Sequence, residues 1–359
     1  MSLDASALAR LVCPTPVESD RITLVHGAGT GASTRLFEQL LLPRFRSPAL
    51  EERHDGAVLS LPGGDRLAFT TDTFVVSPLE FPGGDIGSLA VHGTVNDLAM
   101  CGARPLALSC ALVLEEGLPL ALLERVLDSM AAAARHAGVS IVTGDTKVVE
   151  RGKGDGIFIN TAGIGLVPAG RDLRPVRVRP GDRIVVSGTL ARHGVAVLSQ
   201  REGLGFESEI TSDSASLSAL VEASCAAAPE LHCLRDPTRG GVGSVLHEIA
   251  AAACVEIEVD EALLPFDAPV RAACELLGLD PVFLASEGRC VAFVSPAEEP
   301  ALLVAMRARP DGADAVTVGQ VVARGQGRVP VPGRVTLRTS IGGRRLLERP
   351  VGEPLPRIC

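Results

Sequence analysis

The chain has no tryptophan and no tyrosine, and only two of its 34 basic residues, Lys147 and Lys153, are lysine. Arginine therefore serves wherever a positive charge suffices, and a retained lysine is a candidate for work that arginine cannot do, such as shifting its pKa and handling a proton. There is no basic run and the net charge is −9, which argues against a nucleic-acid partner or an anionic membrane surface. No apolar stretch approaches the roughly 18 residues needed to span a bilayer. Met1 to Asp20 lacks a basic segment followed by an apolar one, so no secretory signal is expected. The nine cysteines include no C-x-x-C pair and are widely and irregularly spaced. That usage fits a cytoplasmic protein with mostly buried thiols, not a disulfide frame or a zinc site. No G-x-x-x-x-G-K-[ST] occurs, so any nucleotide is held by another route.

What is present begins with the last residue. Two prolines, Pro354 and Pro356, stiffen the approach to a terminal Cys359. A frayed end carrying a bare thiol is a poor structural choice, and three residues would have to follow the cysteine for prenylation. From Gly342 the stretch could extend roughly 60 Å. The 359 residues exceed what one core usually supports, so two domains are expected, as 1–168 and 181–340 about an Arg- and Pro-rich linker, with 341–359 a flexible tail. The class is α/β (α+β).

Arg21 to Val25 reads as a strand entering the glycine-rich turn Gly27-Ala28-Gly29-Thr30-Gly31 and a helix from Ser33, an arrangement that can cradle phosphate. Gly56–Leu61 and Arg66–Thr71 alternate as two strands joined by Pro62-Gly63-Gly64-Asp65. Asp85 is placed to cap a helix from Ile86 to Cys101, which Gly102 stops. That helix is apolar nearly all round yet carries His92, Asn96 and Asp97, and Gly93 leaves room one turn before Asp97. A buried carboxylate is costly unless it is paired or bound to a cation. Pro105–Leu114 is a strand, Pro119–His136 a helix, and Val139–Val142 a strand whose end carries Asp145 and Lys147. Gly156–Val167 is a further strand. After the linker, Gly181–Gly188 restarts a second α/β unit, with strands expected at 255–259, 291–295, 315–321 and 335–338 and helices at 195–201, 214–227, 242–253 and 269–277. Asp236 stands in the loop Arg235–Gly241 before a helix, and Glu287 in Ala285–Gly288, where a general base can stand. Of seven histidines, only His26 and His92 suggest a role. Asp55, Asp72, Asp85, Asp97, Asp145 and Asp236 are oxygen ligands of the kind that Mg²⁺ needs to hold the phosphates of ATP.

Six stretches carry a resemblance. Thr71-Asp72-Thr73-Phe74-Val75-Val76, Phe81–Gly87, Gly93–Met100, Val142–Val149, Arg235–Gly241 and the terminal Leu355-Pro356-Arg357-Ile358-Cys359 resemble the HypE hydrogenase-maturation proteins, in order and over nearly the whole chain. The nucleotide motifs are shared with the wider group of aminoimidazole ribonucleotide and selenophosphate synthetases. The resemblance implies a PurM-like two-domain fold, with the N-terminal sheets of a homodimer joined into a barrel and ATP near the domain interface. It implies that Cys359 is carbamoylated by a carbamoyltransferase, HypF. The thiocarboxamide is then dehydrated to a thiocyanate at the expense of ATP, and cyanide passes to iron on a HypC–HypD scaffold during [NiFe]-hydrogenase assembly. Carried over by motif, Cys359 is the carrier thiol and Asp72, Asp97 and Asp236 are the Mg²⁺ ligands. Asp55, Asp85, Asn96, Asp145, Gly27 and Gly29 support the nucleotide, and Lys147 and Glu287 remove protons. The turn Gly27–Gly31 departs from the family's adjacent glycines. Two other readings stay open: a small-molecule kinase or synthetase with an incidental tail, and a non-catalytic carrier presenting Cys359.

Overall fold

The computed structural model describes residues 21–27, 29, 31–204, 210–322, 333–339, 341–350 and 357–359. Its N-terminal half is built on strands β1 (Ala57–Ser60), β2 (Arg66–Phe74), β5 (Arg104–Glu115), β6 (Ser140–Val149) and β7 (Ile157–Val167). They form one sheet in the order β1-β2-β7-β5-β6, antiparallel except where β5 meets β6. A short ribbon of β3 (Glu80–Phe81) and β4 (Gly84–Asp85) leads into the first long helix, α1 (Ile86–Met100), and α2 (Leu120–Ala137) follows β5.

Alternation sorts the two faces of this sheet. Ala68, Thr70 and Phe74 of β2 and Ile157, Ile159 and Thr161 of β7 are buried on the helix side. There α1, apolar on every side, is itself buried along nearly its whole length. On the opposite face Phe69, Val113, Ile164 and Leu166 remain exposed.

The C-terminal half holds a seven-stranded sheet of β8 (Arg183–Val186), β9 (Cys233–Arg235), β10 (Glu256–Asp260), β11 (Val291–Val294), β12 (Val316–Val322), β13 (Val335–Arg338) and β14 (Arg344–Leu346), in the order β14-β13-β10-β12-β8-β11-β9. Around it lie α3 (Arg192–Glu202), α4 (Ser218–Ala227), α5 (Gly241–Ala252), α6 (Ala268–Leu277) and α7 (Glu299–Arg307). The two halves share one apolar core that runs from Phe74, Leu89 and Val95 to Val186, Val195 and Leu284. The acidic loops of both halves therefore meet at a continuous interior.

Several elements differ from the expectation. Arg21–Val25 is not a strand. His26 Nδ1 accepts from Thr23 N at 3.0 Å, His26 N donates to Thr23 O at 3.0 Å, and a 3-10 turn spans Leu24–Gly27. Ile22 and Leu24 are largely exposed, so among the described residues no sheet face serves their alternation. The strand ending at Val142 instead continues to Val149, which places Asp145 and Lys147 within an edge strand. The helix drawn from Ser214 begins at Ser218: Leu217 N donates to Asn96 Oδ1 and Asn96 Nδ2 donates to Ala215 O, which ties the 215–217 segment to the first long helix instead of to a helical turn of its own. Residues 344–346 of the expected tail form edge strand β14 on β13, and α7 and β9 were not anticipated. Ala28 and Thr30 of the glycine-rich turn, and Pro354 to Pro356 of the tail, lie outside the described residues.

Candidate active site

A cavity of ≈ 220 Å³ opens between the halves. β2 sends Asp72 toward α1, and α1 answers with Asp97 one turn after Gly93. A side chain at Gly93 would crowd this floor, since its Cβ would stand 2.9 Å from the Phe74 ring and 3.6 Å from Asp72 Oδ2. The turn before β1 contributes Asp55, the end of β9 contributes Arg235, the loop after it contributes Asp236, Thr238 and Arg239, and the loop before β11 contributes Glu287. Cys359 lines the same cavity.

Asp55, Asp97 and Asp236 each offer an oxygen such that all three lie within 4.8 Å of one another. Thr70 Oγ1 donates to Asp97 Oδ2 at 2.7 Å and so aims that carboxylate. Asp55 Oδ1 meets Arg235 Nε at 2.5 Å, while its buried Oδ2 has no hydrogen-bond partner. Burial, reinforced by neighbouring carboxylates, holds the Asp97 and Asp236 carboxyls well above the ordinary range. Asp72 is raised for the same first reason, with the Arg239 guanidinium opposing. A concentrated set of hard oxygen donors with an orphaned buried oxygen fits a divalent cation such as Mg²⁺.

Glu287 is buried, and its Oε1 has no hydrogen-bond partner. Its carboxyl is pushed well above the usual range by burial and then by Asp236, Asp213 and Asp72. Behind it, Asp213 Oδ1 accepts from Glu287 N at 3.1 Å. A Cβ on Gly288 would lie 1.8 Å from Asp213 O, so this loop requires glycine there. Arg239 donates to Gly27 O at 3.0 Å, and its guanidinium is held charged chiefly by the negative charge at Cys359.

The expected residues divide plainly. Asp55, Asp72, Asp97, Asp236, Glu287, Gly29 and Cys359 line the cavity, and Asp55 joins the tightest carboxylate group where Asp72 was expected. Gly27 enters only through the carbonyl that Arg239 binds. Asp85 does not reach the cavity: its Oδ1 accepts from Gly87 N at 2.7 Å and Ser88 N at 3.0 Å, satisfying the first amides of α1. Asn96 lies behind the wall with both amide ends engaged, its Nδ2 also reaching Glu287 O at 3.2 Å. Asp145 and Lys147 pair with each other at 2.7 Å on the exposed edge strand, outside the cavity lining. His26 belongs to its local turn, and His92 Nδ1 meets Ser214 Oγ at 3.0 Å. Burial pushes His92 down to about 4, so it stays neutral. The sequence reading missed Thr70, Arg235, Arg239 and Asp213, although the two arginines flank Asp236 in a stretch already singled out.

The profile of the AIR synthase related protein N-terminal domain matches residues 53–167, and that of the corresponding C-terminal domain matches residues 179–332. Fold and site together thus define an AIR synthase related protein of PurM-like fold. A carbamoyl dehydratase HypE from Azotobacter vinelandii is 53% identical over 338 residues, 94% of this chain and 97% of that protein. The crystal structure of a HypE–HypF complex superposes with a TM-score of 0.82 at 43% identity, covering 88% of this chain and 99% of the other. A HypE structure in complex with ATP gives a TM-score of 0.79 at 47% identity, covering 94% and 100%. The chain belongs to the HypE family of carbamoyl dehydratases.

Proposed function

We propose that the chain dehydrates a carboxamide carried on Cys359 Sγ to a cyano group, with ATP as the phosphoryl donor in the acidic cavity. The observation that carries this reading is the position of Cys359: the terminal thiol residue lines the same cavity as Asp72, Asp97, Asp236 and Glu287. An incidental tail has no reason to end there, which disfavours a kinase acting on a separate small molecule. A pure carrier has no use for the buried carboxylates.

Asp55, Asp97 and Asp236 would hold Mg²⁺, with Asp72 beside them. When bound with ATP, the cation neutralises charge on the transferring phosphoryl group. Hydroxide is a poor leaving group, so the carboxamide oxygen first attacks the γ-phosphorus in line and ADP departs. The two N–H protons are then lost as the C–O bond breaks, leaving S–C≡N and inorganic phosphate. Glu287, whose buried Oε1 has no hydrogen-bond partner, would take a proton. Its raised proton affinity makes it the stronger base once ionised, and the Arg239 guanidinium favours that ionised form. Arg239 also balances negative charge at the tail end.

The exposed outer sheet face supports a homodimer. Phe69 stands opposite Ile164, Ile164 opposite Ala107, and Val113 opposite Lys147, which puts apolar residues and Lys147 on one face. Pairing of two such faces would cover an apolar patch that a lone chain leaves in water, and would take Lys147 out of solvent, where a lysine can act as base or as a fixed cation. HypF as the carbamoyltransferase that modifies Cys359, HypC–HypD as acceptor of the cyanide and a cytoplasmic setting complete the reading. No helix among the described residues is long and apolar enough to cross a membrane.

The test is mass spectrometry of the C-terminal peptide after incubation with carbamoyl donor and ATP. The expected sequence is carbamoyl addition followed by loss of one water, with neither event in Cys359→Ala. A carbamoylated tail that survives ATP unchanged refutes the reading.

A further inference from the structure

The last three residues occupy a seat built by the chain itself. Val75, immediately beyond β2, donates its N–H to Cys359 O at 3.0 Å, and Ser77 N donates to Arg357 O at 3.3 Å. Arg201 Nη2 reaches the same Arg357 carbonyl at 2.6 Å while its Nε binds Ser77 O at 2.8 Å, tying the tail and its support together. His193 Nε2 donates to Ile358 O at 2.8 Å, and the Ile358 side chain is buried. His193 is fully buried, with Ser212 Oγ at 2.8 Å from its Nδ1 and the Phe81 ring edge-on at 5.3 Å. The imidazole is thereby held with its donor nitrogen toward the tail.

Arg357 is the odd member. Its φ is +55°, a left-handed conformation that a residue with a side chain seldom adopts. Its side chain is nonetheless held at three points: Nε donates to Val75 O at 3.0 Å, Nη1 pairs with Asp155, and the guanidinium lies 5.9 Å from the centre of the Phe158 ring. A strained residue at a chain end relaxes unless its surroundings over-determine it. Here they do, and the reversal at Arg357 carries Cys359 to the cavity that begins at Asp72, three residues before the supporting Val75.

We propose that Asp155 is a positioning residue that reads the Arg357 side chain and, with His193 on the penultimate carbonyl, sets how far Cys359 Sγ enters the cavity. A slip of one residue along an extended tail would move the sulfur by roughly 3.3 Å and turn its side chain to the other face. That displacement exceeds what in-line phosphoryl transfer tolerates. The seat thus acts as a ruler, selecting a substrate that ends Arg-Ile-Cys over any thiol tail able to reach. This inference rests on the reading that Cys359 carries the reacting carboxamide.

Asp155 is about half exposed, so its replacement leaves the fold intact. The experiment uses the full-length chain with two readouts. The first is the rate of Cys359 alkylation by iodoacetamide without ATP. The second is ATP-dependent water loss from Cys359 carbamoylated chemically with cyanate, which removes any need for a partner enzyme. Asp155→Ala is expected to speed alkylation and slow water loss, each by about fivefold for an ion pair of this exposure, with the KM for ATP unchanged. The exchanged pair, Asp155→Arg with Arg357→Asp, is expected to recover part of both rates, because it re-forms the ion pair without the Arg357 bond to Val75 O, and aspartate tolerates the left-handed conformation better than most residues. Unchanged rates in Asp155→Ala, or a raised KM for ATP with no change in alkylation, overturn the proposal. Should the unaltered chain lose no water at all, the functional reading fails instead. The alkylation contrast then still decides the seat: faster modification of Asp155→Ala supports it and equal modification overturns it.

Discussion

Replacing Asp97 by asparagine should make the protein without ligands more stable while abolishing its response to Mg-ATP. The introduced amide keeps an acceptor for Thr70 Oγ1, which donates to Asp97 Oδ2 at 2.7 Å in the wild type, so packing and hydrogen bonding are preserved. What changes is charge. Asp55, Asp97 and Asp236 present oxygens within 4.8 Å of one another, and at an effective dielectric of about 20 two such charges repel by about 3 kcal/mol. Protonation relieves part of this, since the Asp97 carboxyl is already raised by burial and its acidic neighbours. A net gain of about 1–2 kcal/mol remains, or roughly 1–3 °C in Tm for a chain of this length. The sign of the pH dependence follows. A carboxyl whose folded pKa lies above its ordinary 3.8 binds more protons folded than unfolded. Wild-type stability therefore falls as pH rises from the unfolded value through the folded one, and the advantage of Asp97→Asn is larger at about pH 8 than at about pH 5. Saturating Mg-ATP at about 100 times its Kd stabilises the wild type by about 2.7 kcal/mol, and the variant loses this. Differential scanning fluorimetry with and without Mg-ATP at both pH values reads both effects. A variant less stable without ligands, yet still stabilised by Mg-ATP, would refute the electrostatic reasoning.

Three further outcomes follow from the same geometry. Gly93→Ala gains about 1 kcal/mol of helix propensity but sets a methyl 2.9 Å from the Phe74 ring, an overpacking cost of about 1–3 kcal/mol; calorimetry should show slightly lower stability and ATP affinity down about tenfold. Gly288→Ala places a methyl 1.8 Å from Asp213 O, so the Glu287 loop must move, and denaturant unfolding should show a loss of about 3 kcal/mol or more together with loss of turnover. Asp85→Ala removes the acceptor for two amides of α1 and should cost about 1 kcal/mol with ATP affinity unchanged; a large affinity loss would return Asp85 to the nucleotide site.

Much of the cavity was legible because its residues break a local rule. Asp97 is an acid inside a helix buried along nearly its whole length, Gly93 a glycine in a helix interior, and Cys359 a thiol at a chain end. Each is locally unfavourable and needs a tertiary reason. Asp85 and Asn96 stand outside the cavity lining for the converse reason: capping α1 and stapling the 215–217 segment use the same polar groups as ligand binding, and only neighbours far along the chain distinguish them. Lys147 and Asp145 were read at a strand's end, but pairing with β5 continues to Val149, and strand length depends on a partner distant in sequence. Arg21–Val25 alternates as a strand does, yet among the described residues it has no sheet beside it. The tail's seat was illegible outright, because Val75, Asp155, His193 and Arg201 converge on Arg357–Cys359 only after both halves have folded.

The most direct measurement follows one oxygen atom. Cys359 is carbamoylated with a donor whose carbonyl carries heavy oxygen, ATP is added in ordinary water, and the inorganic phosphate released is weighed by mass spectrometry. Activation of the carboxamide by phosphoryl transfer predicts heavy oxygen in that phosphate, one atom for each thiocyanate formed. Thiocyanate accompanied by unlabelled phosphate would contradict it.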